Sequence, residues 1–318
     1  MFTLFLFVIG LFCEIKAADN ASHPKVILHK DVNKTIIAED LAGNKTIDDV
    51  LIHELAEEYY DCWDERVLSA ISYSDYIKLY VVPGKKSDAN VKKKRNEKLS
   101  AFLEFLRSTD HALYFSVQER YQKLRNKIAS NKSIIFNSFY REIEFLENNK
   151  IPYSIVLRTF GKDLDRIIEE IHRYVKPNFF SWRGVFEDGT LELRSMQSND
   201  IVRLYTIEQI YEFLKNNGNV AVQDDWKTWN AHGETQQFGK LFPCNRNDHS
   251  IITYFADDNG DPSDGIINSR HPLTNAVLDT KQLIENGHIC VVNMLKAIEN
   301  DEYYVNHVRL LLKKPQLN

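Results

Sequence analysis

Acidic and hydroxyl side chains follow three short apolar runs of the chain. Asp31 and Thr35 follow the first run, Thr159 follows the second, and Asp257 and Asp258 follow the third. Carboxylates that converge from different segments repel each other and lose hydration unless a divalent cation neutralises them. Oxygen ligands of this kind suit Mg²⁺, which also binds water and phosphate oxygens. The residue types therefore predict a phosphate site with Mg²⁺ as its cofactor.

The three apolar runs have the character of buried parallel strands. They comprise residues 25–28, 153–157 and 250–255. An amphipathic helix is predicted over 163–174 and a further short strand over 219–223. Sites in open α/β sheets gather at the carboxyl ends of the strands, where the polar residues fall. The alternation of strands and helices predicts an α/β fold with a three-layer, Rossmann-like parallel sheet.

Two segments depart from this alternation. Apolar residues recur at helical spacing in several stretches between residues 47 and 150, which predicts a mostly helical insertion there. Those stretches are 50–63, 91–106, 113–128 and 134–148. Residues 178–196 predict a small β-hairpin insertion with its turn at 187–190. The remaining segments, 24–46 and 151–318, are expected to form the α/β core.

The order of the motifs resembles that of the haloacid dehalogenase-like (HAD-like) hydrolase superfamily. A strand leading into Asp-x-Asn-x-Thr comes first, then a strand ending in Thr, then a Lys, and finally a strand ending in Asp-Asp. The resemblance implies a HAD-like core in which residues 47–150 form a cap that selects the substrate and excludes water. It also implies that Asp31 is the nucleophile and forms an aspartyl-phosphate.

The resemblance assigns phosphate and substrate contacts to other residues at the strand ends. Thr159 is expected to bind phosphate, and Lys240, within residues 237–243, to steady the nucleophile and the phosphate. Arg158 directly precedes Thr159, and Thr35 follows Asp31 by four residues; both are also expected to contribute to substrate binding. The implied substrate is a small phosphorylated molecule.

The metal ligands are implied in the same way. Asp257 and Asp258 match the acidic pair that holds Mg²⁺, directly and through water, together with Asp31. Asn33 stands at the position whose backbone carbonyl binds the metal.

Asn33 is also the main departure from the family pattern. Family phosphatases carry a second Asp there as general acid and base, and an amide cannot exchange that proton. General acid–base assistance contributes about 10²–10⁴-fold to rate, so phosphatase turnover by the usual route is expected to be strongly reduced. Two hypotheses remain: a phosphohydrolase of weak or unconventional activity, and a catalytically inactive HAD-like pseudoenzyme that acts as a binding or interaction protein, for instance with a protein partner.

The first residues predict a secretory signal peptide over 1–18. Residues 2–13 are apolar, and Ala17 or Ala18 suits signal-peptidase cleavage. An uncleaved anchor is the alternative, although the apolar run is shorter than the ~20 residues of a spanning helix. We therefore expect a secreted or lumenal protein with no stable membrane span after cleavage. Sequons begin at Asn20, Asn33, Asn44 and Asn131, and a glycan on Asn33 would lie in the predicted site.

The net charge bears on possible partners, and the cysteine content bears on disulfide formation. The formal net charge of −5 provides no basic field for nucleic acid. After signal removal Cys62, Cys244 and Cys290 remain, so at most one internal disulfide can form, or all three are buried thiols.

Other constellations are weaker. Residues 223–234 contain acids, tryptophans and a histidine that line the pocket or simply pack a loop. The basic residues within 85–98 favour a solvated helix face over an anion site. Cys244 with His249 lacks the second Cys/His pair of a metal site.

Overall fold

A computed structural model describes residues 23–40, 45–85 and 88–313. The predicted signal segment, residues 1–18, and the sequon residues Asn20 and Asn44 lie outside the described residues.

The described residues contain twelve strands and twelve α-helices. The strands are β1 Lys25–Asp31, β2 Tyr60–Asp61, β3 Ile71–Ser72, β4 Tyr153–Thr159, β5 Phe180–Glu187, β6 Thr190–Ser195, β7 Ile201–Leu204, β8 Asn219–Gln223, β9 Lys240–Pro243, β10 Ile251–Asp257, β11 Ile267–Arg270 and β12 Ile289–Val291. The helices are α1 Ile47–Glu58, α2 Tyr73–Tyr76, α3 Ala89–Ser100, α4 Phe102–Ser108, α5 Tyr114–Ser130, α6 Asn137–Asn148, α7 Leu164–Tyr174, α8 Ile207–Asn216, α9 Trp226–Ala231, α10 Thr280–Glu285, α11 Met294–Glu299 and α12 Tyr303–Lys313.

Eight strands form one mixed sheet in the order β12-β10-β1-β4-β8-β5-β6-β7. Every neighbouring pair from β12 to β5 is parallel, and only β5–β6 and β6–β7 are antiparallel. The prediction of an α/β fold with a mostly parallel sheet is confirmed. In addition, β9 and β11 form a separate two-stranded parallel sheet.

The hairpin predicted over residues 178–196 is present, but it is continuous with the main sheet. Its turn residues Asp188 and Gly189 have φ values of 47° and 77°, the left-handed conformation that a tight hairpin turn requires. Because β5 pairs in parallel with β8, the hairpin adds antiparallel strands to the edge of the sheet.

The first strand is longer than the apolar run that predicted it. It continues through His29 and Lys30 to Asp31, all of them buried. Polar residues fit inside the sheet here because each has a partner: Lys30 pairs with Glu142 at 2.8 Å, and the Nδ1 of His29 lies 3.3 Å from Arg158.

Helix boundaries in the first half of the chain also differ from the predicted ranges. The helix expected over 50–63 begins at Ile47, where Thr46 and Asp49 form a capping box, and ends at Glu58 before β2. The helix expected over 91–106 is divided at Ala101 into α3 and α4. Residue Ile135, expected in a helix, instead forms a bridge with Ile37.

One hydrophobic core joins the helices of residues 47–150 to a face of the sheet. Buried residues of β1, β4 and β10, including Leu28, Leu157 and Tyr254, belong to the same cluster as Phe102 and Phe139. Helix α8 packs on the opposite face, where Ile210 and Leu214 belong to a second hydrophobic cluster with Ile27 and Val156. The division of the chain into core and cap stays a prediction.

The cysteines and the helix lengths give two further facts. Cys62 is exposed, whereas Cys244 and Cys290 are buried, and all three are free thiols. Among the described residues, no helix combines the length and apolar character needed to cross a membrane.

Candidate functional site

The candidate site lies at the carboxyl ends of β1 and β10, two neighbouring parallel strands. From β1 the chain adds β4 and β8 on one side and later β10 and β12 on the other. Strand order therefore reverses at the boundary between β1 and β10, and in open α/β sheets ligands bind at such a point. Asp31 ends β1 and Asp257 ends β10, so both carboxylates stand at this boundary.

Lys240 connects the two carboxylates. Its Nζ lies 2.5 Å from Oδ1 of Asp31 and 2.7 Å from Oδ2 of Asp257. All three side chains are buried. The assignment of Lys240 from its place in the sequence thus corresponds to a direct contact with the predicted nucleophile.

The backbone around Gly239 determines the position of the Lys240 backbone. Lys240 N–H donates to the carbonyl of Ile266 at 2.6 Å as β9 starts alongside β11. A Cβ on Gly239 would lie only 2.3 Å from the same carbonyl oxygen. Glycine is therefore required for the close approach that places Lys240 beneath the carboxylates.

Thr35 links the loop after β1 to the tip of β10. Its hydroxyl accepts the backbone N–H of Asp258 at 3.2 Å and lies 3.4 Å from Oδ2 of Asp31. The loop turns tightly after Asp31, with Lys34 at a φ of 55°. Substrate binding by Thr35 stays a prediction; in the structure its hydroxyl contacts Asp31 and the backbone of Asp258.

The helical segment also contributes to the site. Lys34 Nζ lies 2.9 Å from Glu54 of α1 and 3.6 Å from Asp258. Neither Lys34 nor Glu54 was a predicted site residue. Lys34 stands within the first motif, but nothing in the spacing of α1 distinguishes Glu54 from its other acids.

Burial dominates the electrostatics of the acidic residues. Burial raises the pKa of Asp31 to about 7, with Lys240 opposing the rise and Asp257 adding to it. Burial likewise raises the pKa of Asp258 well above its ordinary value, against the influence of Lys34. The charged forms of these carboxylates therefore lack full compensation within the protein.

The acidic cluster fits a divalent cation. One oxygen each of Asp31, Asp257 and Asp258 lies within 4.8 Å of the others. With Glu54 these residues provide four carboxyl groups beside the two ammonium groups of Lys34 and Lys240, so the fully ionised cluster carries two negative charges. An all-oxygen set of this charge suits Mg²⁺.

Asn33 and Thr159 meet at a residue that the sequence did not single out, Asp163. With its amide nitrogen facing acceptors, Asn33 donates to Oδ2 of Asp163 at 3.1 Å and to the carbonyl of Glu39 at 3.2 Å. The Thr159 hydroxyl lies 3.5 Å from Oδ1 of Asp163 and accepts from Gly161 N–H at 2.8 Å. Asp163, four residues after Thr159 and just before α7, thus orders both predicted site residues.

Arg158 is engaged in a buried ion pair. Its guanidinium donates through two nitrogens to Asp224, and through the third to the carbonyl of Leu241 at 2.8 Å. These contacts hold β4, β8 and β9 together beside Lys240. Substrate binding by Arg158 stays a prediction, and Asp224 is the partner that sequence analysis did not identify.

Residues of the weaker constellations make structural contacts. Asp225 caps α9 through Thr228, and Trp229 stacks on Phe160 with ring centroids 5.1 Å apart. In the basic stretch, Arg95 donates to the carbonyls of Val82 and Gly84. Burial raises the pKa of the Cys244 thiol to about 11, which opposes a thiolate role.

Comparison with protein-family models, with curated proteins and with solved structures gives no match. The function has to be argued from the site itself.

Proposed function

We propose that this protein is a Mg²⁺-dependent phosphohydrolase of HAD-like type with weak turnover, acting through an aspartyl-phosphate on Asp31. The observation that carries the proposal is the contact of Lys240 with both Asp31 and Asp257. It joins three distant segments of the chain into one buried, acidic site at the switch point of the sheet.

Each residue of the site has a chemical role in this proposal. Asp31 attacks phosphorus, and the bond from phosphorus to the leaving oxygen breaks as the new bond to Asp31 forms. Water then hydrolyses the acyl phosphate and regenerates the carboxylate. Lys240 holds Asp31 in position and offsets charge on the phosphate, while Thr159 offers a hydroxyl to it. Mg²⁺ held by Asp31, Asp257, Asp258 and the Asn33 carbonyl would neutralise the phosphate oxygens.

The fold supports the same proposal. Parallel strands with helices on both faces are what a three-layer, Rossmann-like HAD core requires. Residues 47–150 would be the cap, and the contact of Glu54 with Lys34 would connect it to the first motif.

Asn33 limits the expected rate. Its amide donates to Asp163 and to a backbone carbonyl, so it orders the loop but supplies no proton. This observation favours the second candidate, a pseudoenzyme that retains the fold and the metal and serves as a binding or interaction protein.

Turnover of an aryl phosphate with Mg²⁺ distinguishes the two candidates. Wild type, Asp31→Asn and Asn33→Asp are compared, with Asp200→Asn in an exposed loop as the matched control. Activity that Asp31→Asn abolishes and Asp200→Asn retains supports the phosphohydrolase. An inert wild type with an active Asn33→Asp variant supports the pseudoenzyme. If neither wild type nor Asn33→Asp hydrolyses the aryl phosphate, and wild type does not bind Mg²⁺, both candidates fail.

A further inference from the structure

A cavity of about 370 Å³ lies next to the candidate site. Its apolar wall comprises Phe160, Phe186, Phe238 and Leu241. This volume is within the range of about 300–1,000 Å³ typical of small-molecule pockets, which are lined mainly by apolar and aromatic side chains.

The cavity shares a wall with the phosphate site. Phe160 directly follows Thr159, and Lys240 Nζ lies 5.2 Å from the centroid of the Phe160 ring. Gly239 and Leu241, the two neighbours of Lys240, both line the cavity. Phe160 is therefore the wall that lies between the ammonium group of Lys240 and the cavity.

Two of the aromatic walls are held by stacking. Phe160 lies parallel to Trp229, whose indole N–H donates to the carbonyl of Gly265 at 3.1 Å. Phe238 stacks on His232 with ring centroids 3.7 Å apart. The ring faces are thus oriented before a ligand binds, which reduces the entropic cost of binding.

The polar lining is acidic and neutral. It includes Asp188 on the hairpin turn and Asp225, together with Gln237 and Asn268. The described lining residues include no Lys or Arg, and the guanidinium of Arg158, 5.4 Å from the Phe186 ring centroid, is already paired with the lining residue Asp224, so a second anionic group would find no free counter-charge there. This composition of the lining favours an uncharged or cationic ring system as the bound group.

We propose that this cavity binds the aromatic leaving group of a phosphate monoester whose phosphate lies at Asp31 and Lys240. The inference rests on the proposed function and names its substrate class. It also reassigns selectivity: the lining comes from the hairpin and from segments beside β4, β8, β9 and β11, not from residues 47–150, where the cap was expected to select the substrate.

Binding of a non-hydrolysable probe tests the cavity separately from turnover. Phenylphosphonate and methylphosphonate are titrated into wild type with Mg²⁺, and into Phe186→Ala, Phe238→Ala and the control Phe115→Ala, whose side chain is exposed on α5. We expect wild type to bind phenylphosphonate more tightly than methylphosphonate. Each cavity variant should lose roughly 10-fold in phenylphosphonate affinity and little in methylphosphonate affinity. Phe186→Leu, which keeps an apolar side chain, serves if Phe186→Ala does not fold.

The outcomes separate the two proposals. Selective phenylphosphonate binding without turnover of any phosphate ester supports the cavity as the site of an aryl group attached to phosphate and removes the phosphohydrolase. Turnover whose KM for phenyl phosphate is unchanged in both cavity variants overturns the cavity inference and leaves the phosphohydrolase. Equal affinity of wild type for the two phosphonates, or none for either, also overturns the cavity inference.

Discussion

The ammonium group of Lys240 lies 2.5 Å from a carboxylate oxygen of Asp31, although 209 residues separate them in the chain. A second carboxylate, that of Asp257, accepts from the same nitrogen. Burial alone would lower the pKa of Lys240, but Asp257 and Asp31 outweigh it and raise that pKa above its ordinary value. The lysine thus stays charged between two buried acids.

Replacing Lys240 should destabilise the fold. In Lys240→Met the carboxylates of Asp31 and Asp257 remain buried without their cation, and such a loss costs about 3–5 kcal/mol. Urea unfolding without metal measures the difference. The double variant Lys240→Met/Asp31→Asn should recover part of the loss because one buried charge is removed. Additive losses in the double variant would show that the two side chains do not interact.

A second buried ion pair attaches the helical segment to the sheet. Lys30 and Glu142 are inaccessible to solvent, and burial lowers the pKa of Lys30 and raises that of Glu142. We expect Glu142→Gln to reduce the free energy of unfolding by about 3–5 kcal/mol, because Lys30 keeps a buried charge. The apolar pair Lys30→Met/Glu142→Leu should be much closer to wild type. Equal stability of Glu142→Gln and wild type would contradict the buried pair.

Mg²⁺ should stabilise the folded protein through the acidic cluster. A ligand at 100 times its Kd adds about 2.7 kcal/mol, which for a chain of this size raises Tm by about 5 °C. Thermal unfolding is followed with and without Mg²⁺ in wild type, Asp257→Asn and Asp258→Asn. The shift should be lost in both variants and kept in Asp200→Asn. The same shift in all four proteins would indicate non-specific binding.

His53 should make stability depend on pH below neutrality. Its Nδ1 lies 3.2 Å from Lys45 Nζ, and its Nε2 lies 3.0 Å from the Ser100 hydroxyl, which itself donates to Asp49. Burial, reinforced by Lys45, lowers the pKa of His53 to about 4.

Because the folded pKa is below the unfolded value of about 6.5, this stability is complete above pH 6.5 and decreases as the pH falls toward 4. At most about 3 kcal/mol is lost over that interval. Chemical unfolding of wild type and His53→Gln at several pH values isolates the effect, since the variant keeps polar contacts but does not titrate. Parallel curves for the two proteins would rule out this role of His53.

The polar residues at the strand ends can be predicted from the sequence, whereas the residues that contact them cannot. Asp31, Thr159 and Asp257 follow apolar runs, so local pattern places them at one edge of the sheet. Only the order of the motifs indicates Lys240, because β9 has four residues and is too short to show a strand pattern of its own. Asp163 and Glu54 gain their roles only from tertiary contacts, which sequence periodicity does not encode.

The same limit applies to the fold. Alternation predicted the hairpin and its turn, yet the pairing of β5 with β8 depends on partners far apart in sequence. His29 and Lys30 end the apolar run, so the sequence pattern predicts a first strand that ends too early. Their buried partners, Arg158 and Glu142, are what allow it to continue.

The central place of β1 has a consequence for biosynthesis. β1 is the first strand of the described chain, but it is paired on one edge by residues 153–159 and on the other by residues 251–257. During translation this strand, which is buried in the folded protein, therefore has at least one open edge until more than 220 further residues have been made. Until then, the unpaired backbone of the segment that ends in Asp31 is exposed to pairing with other chains.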